Sequence, residues 1–240
     1  MPSPDFASLA VQAGIETVIP DMEHGFPSLT EVKACVANLN AVGGRCMVRV
    51  GPGMVNLVGP LADLGVHGLI LSGARSVADI KSFIAMGRFP PEGRRSLNPF
   101  VEAAPTPGDV NGLNGSGRRL ELWAMAETRD LRTELMDRGP NPIEGLSGLL
   151  VGPYDLANDL GLNPVPDEAD LLAAVEDFAK WAQSSGAAWS LFVRDAEALG
   201  AWQNKGLQPS AVVLGYDRDV WFSAIQQNVA SAKSGVGSTP

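Results

Sequence analysis

Seven short apolar runs, separated by amphipathic stretches, constrain this chain more than any other feature. The runs are 17–22 (TVIPDM), 45–50 (RCMVRV), 67–72 (HGLILS), 120–127 (LELWAMAE), 146–152 (LSGLLVG), 187–193 (AAWSLFV) and 211–217 (AVVLGYD). They are mostly apolar and do not alternate strictly, the pattern of strands covered on both faces. The stretches between them, 28–41, 54–65, 76–87, 129–137, 168–185, 195–205 and 218–233, read as amphipathic helices. Residues 5–14 (DFASLAVQAG) read as a leading helix that ends at Gly14. Such alternation predicts parallel βα units with right-handed crossovers. A closed (β/α)8 barrel, which needs eight strands, and a doubly wound open sheet both satisfy it. In either architecture, the residues that end the strands carry the chemistry.

The 240 residues are 45% hydrophobic and 19% charged, enough apolar surface for one large core. A single domain is expected over 1–233, with a disordered tail over 234–240. The net charge of −9 argues against nucleic-acid partners, since no basic stripe exists to neutralise phosphates. An anionic substrate remains compatible, given local arginines or a metal. Cys35 and Cys46 lack disulfide or zinc spacing and read as buried free thiols. No apolar run approaches the roughly 18 residues of a membrane span, and no basic region precedes an apolar leader. A cytoplasmic location is the expectation. Residues 98–119, rich in Pro, Gly and Asn, are expected to be irregular and to act as a lid or an interface element. The glycine run at 112–117 precedes a strand, so it is not a dinucleotide fingerprint.

Three strand ends stand out chemically. Asp21-Met22-Glu23-His24-Gly25 places one of two histidines, with two carboxylates, after the first run. Glu127 and Asp155 close successive strands and form a candidate hard-metal pair. The plainer alternative pairs Glu127 with Arg129 and makes Asp155 a helix cap near Leu156. Arg49 lies inside the apolar Met47-Val48-Arg49-Val50 strand and needs a partner, either a protein carboxylate or a substrate anion. Asp63 ends an otherwise apolar helix. His67 opens a strand at the face opposite to the chemistry and reads as structural.

These segments occur in a recognisable order: Val18-Ile19-Pro20-Asp21-Met22-Glu23-His24-Gly25, Val48-Arg49-Val50, Asp63-Leu64-Gly65-Val66-His67-Gly68, residues 88–95 (RFPPEGRR), Ala126-Glu127-Thr128-Arg129 and residues 149–161 (LLVGPYDLANDLG). The ordered set resembles the metal-dependent, pyruvate-specific class II aldolases of the HpcH/HpaI family. The resemblance implies a (β/α)8 TIM-type barrel of the pyruvate/phosphoenolpyruvate kind. It implies reversible cleavage of a 4-hydroxy-2-oxo acid to pyruvate and an aldehyde through an enolate. Glu127 and Asp155 would hold a divalent metal, Mg2+ first and Mn2+ or Co2+ as alternatives. Arg49 would offset charge on the keto oxygen, and His24 would exchange the C4 hydroxyl proton with Asp63 orienting it. The backbone after Gly152-Pro153-Tyr154 would hold the substrate carboxylate. Glu23 would support the metal's water shell. A homo-oligomer is implied, with residues 218–233 as the exchanged helix.

The chain departs from the family in three places. Met125 replaces a glutamine common there, and Leu71-Ser72-Gly73 lacks a proline. Met125 is therefore expected to reshape the substrate pocket. The strand that precedes the first helix in the family is absent, which accounts for seven strands and leaves two unpaired edges. Two other fates remain open: a decarboxylase or C–C bond-forming synthase using the same enolate, and a catalytically weakened oxo-acid binder or assembly subunit.

Overall fold

The computed structural model describes the backbone of residues 3–236 and the side chains of 3–234. Seven parallel strands form one sheet in sequence order: β1 (Thr17–Val18), β2 (Arg45–Val50), β3 (Gly68–Leu71), β4 (Glu121–Ala126), β5 (Gly148–Val151), β6 (Ala188–Val193) and β7 (Ala211–Leu214). Helices α1 (Pro4–Gln12), α2 (Leu29–Ala41), α3 (Val58–Asp63), α4 (Val77–Gly87), α5 (Val110–Arg119), α6 (Arg129–Arg138), α7 (Pro153–Leu160), α8 (Ala169–Ser185), α9 (Ala196–Gln203) and α10 (Asp217–Val236) intervene. A 3-10 turn, Pro52–Leu57, leads into α3. Ser28 with Glu31 and Ser76 with Asp79 form capping boxes that start α2 and α4.

Alternation along the strands separates two apolar layers. Val48 and Val50 of β2, Leu69 and Leu71 of β3, Leu122 and Ala124 of β4 and Leu149 of β5 pack outward against the helices. Their intervening neighbours Met47, Ile70, Met125, Leu150 and Phe192 form a second, smaller cluster. That inner layer is the interior of a curled sheet, filled as small barrels are. Because side chains alternate, Arg49 shares the inner face with Met47, and Glu127 shares it with Met125.

The barrel is open at one seam. β1 pairs with β2 over two residues, Thr17 with Arg45 and Val18 with Cys46. β7 pairs with β6. Among the described residues no strand joins β1 to β7. The edge at β7 is exposed, with Val212 at 37% and Leu214 at 49%. Trp221, Phe222 and Ile225 of α10 are exposed as well. The expected architecture, a TIM-type barrel without its first strand, is therefore the observed one.

One expectation fails in the segment 98–119. Its second half is α5, not irregular chain. Asp109 caps the helix by accepting from the Gly112 N–H at 2.8 Å, and Arg118 and Arg119 sit at its C-terminal turn. Gly117 is there because a Cβ would stand 2.8 Å from the Phe89 ring. Packing thus overrides low propensity. The tail expected over 234–240 begins inside the last turn of α10, and residues 237–240 lie outside the described residues. Cys35 and Cys46 are buried free thiols. His67 accepts the Cys46 N–H at Nδ1, 3.1 Å, the structural role expected. No helix of the described residues is long and apolar enough to cross a membrane.

Candidate active site

The site is assembled where the strands end. Asp21 lies beyond β1 and pairs with Arg49 as an isolated parallel bridge. The Arg49 N–H donates to the Pro20 carbonyl at 3.1 Å, and the Met22 N–H to the Arg49 carbonyl at 3.0 Å. The guanidinium then donates twice to one carboxylate: Nε to Asp21 Oδ1 at 2.8 Å and Nη2 to Oδ2 at 2.6 Å. Such bidentate charge-assisted pairs are short and strong. Burial raises the Asp21 carboxyl, but the Arg49 hydrogen bond and charge outweigh it and hold the group below its ordinary range. Nη1 faces elsewhere, 3.5 Å from Glu23 Oε2 and 3.8 Å from Met125 Sδ. The buried arginine thus has a tight carboxylate partner on one edge and the looser company of Glu23 and Met125 on the other.

Glu127 is 5% exposed at the end of β4. Its Oε1 accepts the Gly73 N–H at 2.6 Å, while Oε2 is buried without a hydrogen-bond partner. Burial pushes this carboxyl up to about 7; the Gly73 N–H opposes the rise, Asp155 and Glu23 add to it, and Arg49 lowers it. A Cβ at Gly152 would stand 3.0 Å from Glu127 Oε2 and 3.1 Å from Met125 Cε, so glycine keeps that space open. The pairing of Glu127 with Arg129 does not occur. Arg129 turns instead to Asp159, through its backbone N–H at 2.7 Å and Nη2 at 3.2 Å.

Asp155 sits in the first turn of α7 and is exposed. The helix starts from Gly152 and Pro153 with no side-chain cap, so Asp155 is not the cap. Its first-turn N–H groups are of the kind that receive a carboxylate. Among the described residues no set of three or more His, Cys, Asp or Glu converges. An unpartnered buried oxygen on Glu127 and a second carboxylate within reach of its charge fit a hard divalent cation that keeps positions for water and substrate.

His24 and Asp63 are not brought together within the chain. The His24 side chain is 69% exposed, with Nε2 3.8 Å from Glu23 Oε2. Asp63 ends α3, which has run back to the strand N-terminal side ahead of β3. Its carboxylate accepts from Arg95 Nη2 at 2.6 Å. Arg95 is buried and lies over the Phe89 ring at 4.5 Å. The expected dyad is corrected on this ground: Asp63 is the counter-charge of Arg95, and Glu23 is the carboxylate beside His24.

Four participants escaped the sequence reading: Asp21 as the holder of Arg49, the Gly73 N–H, Phe192 and Tyr216. Tyr154 meets Phe192 edge-on, 5.9 Å between centroids, and Phe192 meets Tyr216 at 4.9 Å. The available signal was position, since Tyr216 follows Gly215 just after the end of β7.

The HpcH/HpaI aldolase/citrate lyase family profile matches residues 2–224. The hydroxypyruvate/pyruvate aldolase of Pseudomonas aeruginosa is 24% identical over 233 residues, covering 97% of this chain and 85% of that protein. The 2-keto-3-deoxy-L-rhamnonate aldolase of Escherichia coli is 23% identical over 236 residues, covering 95% and 85%. Among solved structures, an HpcH/HpaI aldolase/citrate lyase family protein from Burkholderia cenocepacia superposes with a TM-score of 0.86 at 22% identity, covering 97% of this chain and 91% of that one. With a profile that spans the sheet and every residue of the site, the chain belongs to the HpcH/HpaI aldolase/citrate lyase family.

Proposed function

We propose that this protein is a carbon–carbon lyase that reversibly cleaves a 4-hydroxy-2-oxo acid to pyruvate, or a related oxo acid, and an aldehyde. The observation that carries the reading is the buried, unpartnered Oε2 of Glu127 in the same inner layer as Arg49. Glu127 and Asp155 would hold the divalent cation, Mg2+ by preference, with Mn2+ or Co2+ as substitutes. Such a cation supplies Lewis-acid stabilisation of the enolate oxygen. Arg49 Nη1, left free by Asp21, offsets charge at the keto oxygen. Donors of this kind are worth about 3–4 kcal/mol in the transition state. The first-turn N–H groups of α7, after Gly152-Pro153-Tyr154, receive the substrate carboxylate. Met125 and Phe192 line the apolar floor. His24 takes the C4 hydroxyl proton in cleavage, with Glu23 3.8 Å away to balance the imidazolium. A homo-oligomer through α10 accords with the exposed apolar residues of that helix.

One observation favours a second fate for the enolate. His24 is open to solvent and has no buried carboxylate to orient it. A decarboxylase or synthase would use Glu127, Asp155 and Arg49 without needing it. The test is pyruvate release from a 4-hydroxy-2-oxo acid in Mg2+ or Mn2+, with and without a chelator. Metal-dependent release that disappears in Glu127→Ala and His24→Ala supports the aldolase. Oxaloacetate consumption that survives His24→Ala selects the second fate. Metal-dependent binding of pyruvate with turnover of neither acid leaves a binding protein.

A further inference from the structure

The ladder between β3 and β4 ends at the Leu71–Ala124 pair. Beyond it, side chains take over. Glu127 Oε1 accepts the Gly73 N–H at 2.6 Å, and Thr128 Oγ1 donates to the Ala74 carbonyl at 2.8 Å. Two consecutive residues after β4 thus grip two consecutive residues after β3. Thr128 is buried, and its hydroxyl also accepts the Leu131 N–H at 3.3 Å as the cap of α6. A cap needs only an acceptor oxygen, which Asp or Asn supplies as well. A hydroxyl accepts and donates at once, so capping alone does not account for the bond to Ala74.

The gripped turn has room to move. Ser72 ties its start to the Val50 carbonyl, through N–H at 3.0 Å and Oγ at 3.2 Å, and Arg75 ties its end to Asp130 at the surface at 3.1 Å. Between these, Gly73 has φ +60°, and a Cβ there would stand 3.0 Å from Pro52 Cγ. That conformation and that approach both call for glycine. Beside the turn, between the 3-10 turn and α4, lies a cavity of about 420 Å³ lined by Pro52, Val55, Asp79 and Ser82. The Ala74 methyl is buried, which fixes its side chain but not the direction of its carbonyl. The direction comes from Thr128.

The grip decides how the Glu127 carboxylate is turned. With Oε1 committed to Gly73, Oε2 faces the space that Gly152 keeps open and has no partner. We propose that Thr128 is a positioning residue of the cation site: by holding the Ala74 carbonyl it keeps the Gly73 N–H on Glu127 Oε1, and so keeps Oε2 on offer to a divalent cation. This rests on the reading that Glu127 is a cation ligand. Groups that orient a metal's ligands typically carry about ten- to a hundredfold of its affinity.

The experiment uses the full-length chain as wild type, Thr128→Val, Thr128→Ser and Asp159→Ala. Exchange of the Gly73 amide is followed in chelator, and Mn2+ affinity by isothermal titration. Asp159→Ala is the control: it removes the 2.7 Å bond from the Arg129 N–H, the other support of the α6 start, and leaves Thr128 and Ala74 as they are. Thr128→Val is expected to speed Gly73 exchange and to weaken Mn2+ binding about tenfold, while Thr128→Ser and Asp159→Ala stay within about twofold of wild type. Where Thr128→Val does not fold, Gly73→Ala disturbs the same bond from the turn side and is expected to show the same loss of affinity. Unchanged Mn2+ affinity in Thr128→Val, or in Gly73→Ala where it stands in, overturns the proposal and leaves Glu127 as a ligand. Weakened affinity with unchanged Gly73 exchange overturns it too, as does equal weakening in Asp159→Ala. A wild type that binds no Mn2+ overturns the functional reading and the proposal with it.

Discussion

Asp21 grips two nitrogens of Arg49 and leaves the third. Its oxygens take Nε at 2.8 Å and Nη2 at 2.6 Å, while Nη1 is directed toward Glu23 and Met125. The grip fixes the plane of the guanidinium, so its working edge does not depend on the substrate for orientation. It also keeps a buried cation from being uncompensated.

Asp21→Asn is therefore expected to destabilise the fold by about 2–4 kcal/mol, since breaking a buried pair strands the remaining charge. Urea denaturation at neutral pH checks this. The same pair governs acid behaviour. Asp21 titrates below its ordinary value in the folded chain, so its contribution is present above the unfolded value near 3.8 and is lost as pH falls through the folded one. The wild type should lose more stability than Asp21→Asn over that acid range.

Glu127 works in the opposite sense. Its folded pKa is about 7 against an ordinary 4.5, so between these values the folded chain binds the extra proton. Stability of the metal-free protein should fall as pH rises through this window, by up to about 3 kcal/mol. Glu127→Gln should flatten that slope. Denaturation at pH 5 and pH 7.5 in chelator decides it.

Cation affinity should rise across the same window, because Glu127 must shed its proton to bind. Isothermal titration with Mn2+ is expected to show at least tenfold weaker binding in Glu127→Gln and in Asp155→Asn. Affinities that match the wild type in both variants would remove these residues from the metal site.

Asp63→Ala separates architecture from chemistry. It leaves Arg95 buried without its 2.6 Å partner, so a loss of about 3 kcal/mol in stability is expected. Turnover per folded molecule should change little. His24→Ala should do the reverse, with an unchanged melting temperature and lost aldol cleavage.

What the sequence disclosed depended on local pattern. Arg49 and Glu127 were legible because each continues a two-residue alternation with an apolar inner neighbour, Met47 and Met125. The strands were legible because both their faces are covered. α5 was hidden because its glycines answer to the Phe89 ring and not to helix propensity. The Asp63–Arg95 pair was hidden because it joins residues 32 apart in the chain. Tyr216 was hidden because a lone tyrosine after a strand carries no periodic signal. Its place depends on the Gly215 turn and the Phe192 ring.

The open seam divides the site mechanically. Glu127 stands on β4, hydrogen-bonded to β3 and β5 on either side. Asp21 and His24 hang from β1, which is tied to β2 alone. Amide exchange should therefore be slow behind Glu127 and fast from Thr17 to Gly25, because a strand held along one side opens at lower cost. On the proposed reading, the residues that would hold the cation are anchored in the middle of the sheet, and His24 rides on its loose margin. On that reading, whatever caps the free side of β1 would act on His24 and not on Glu127.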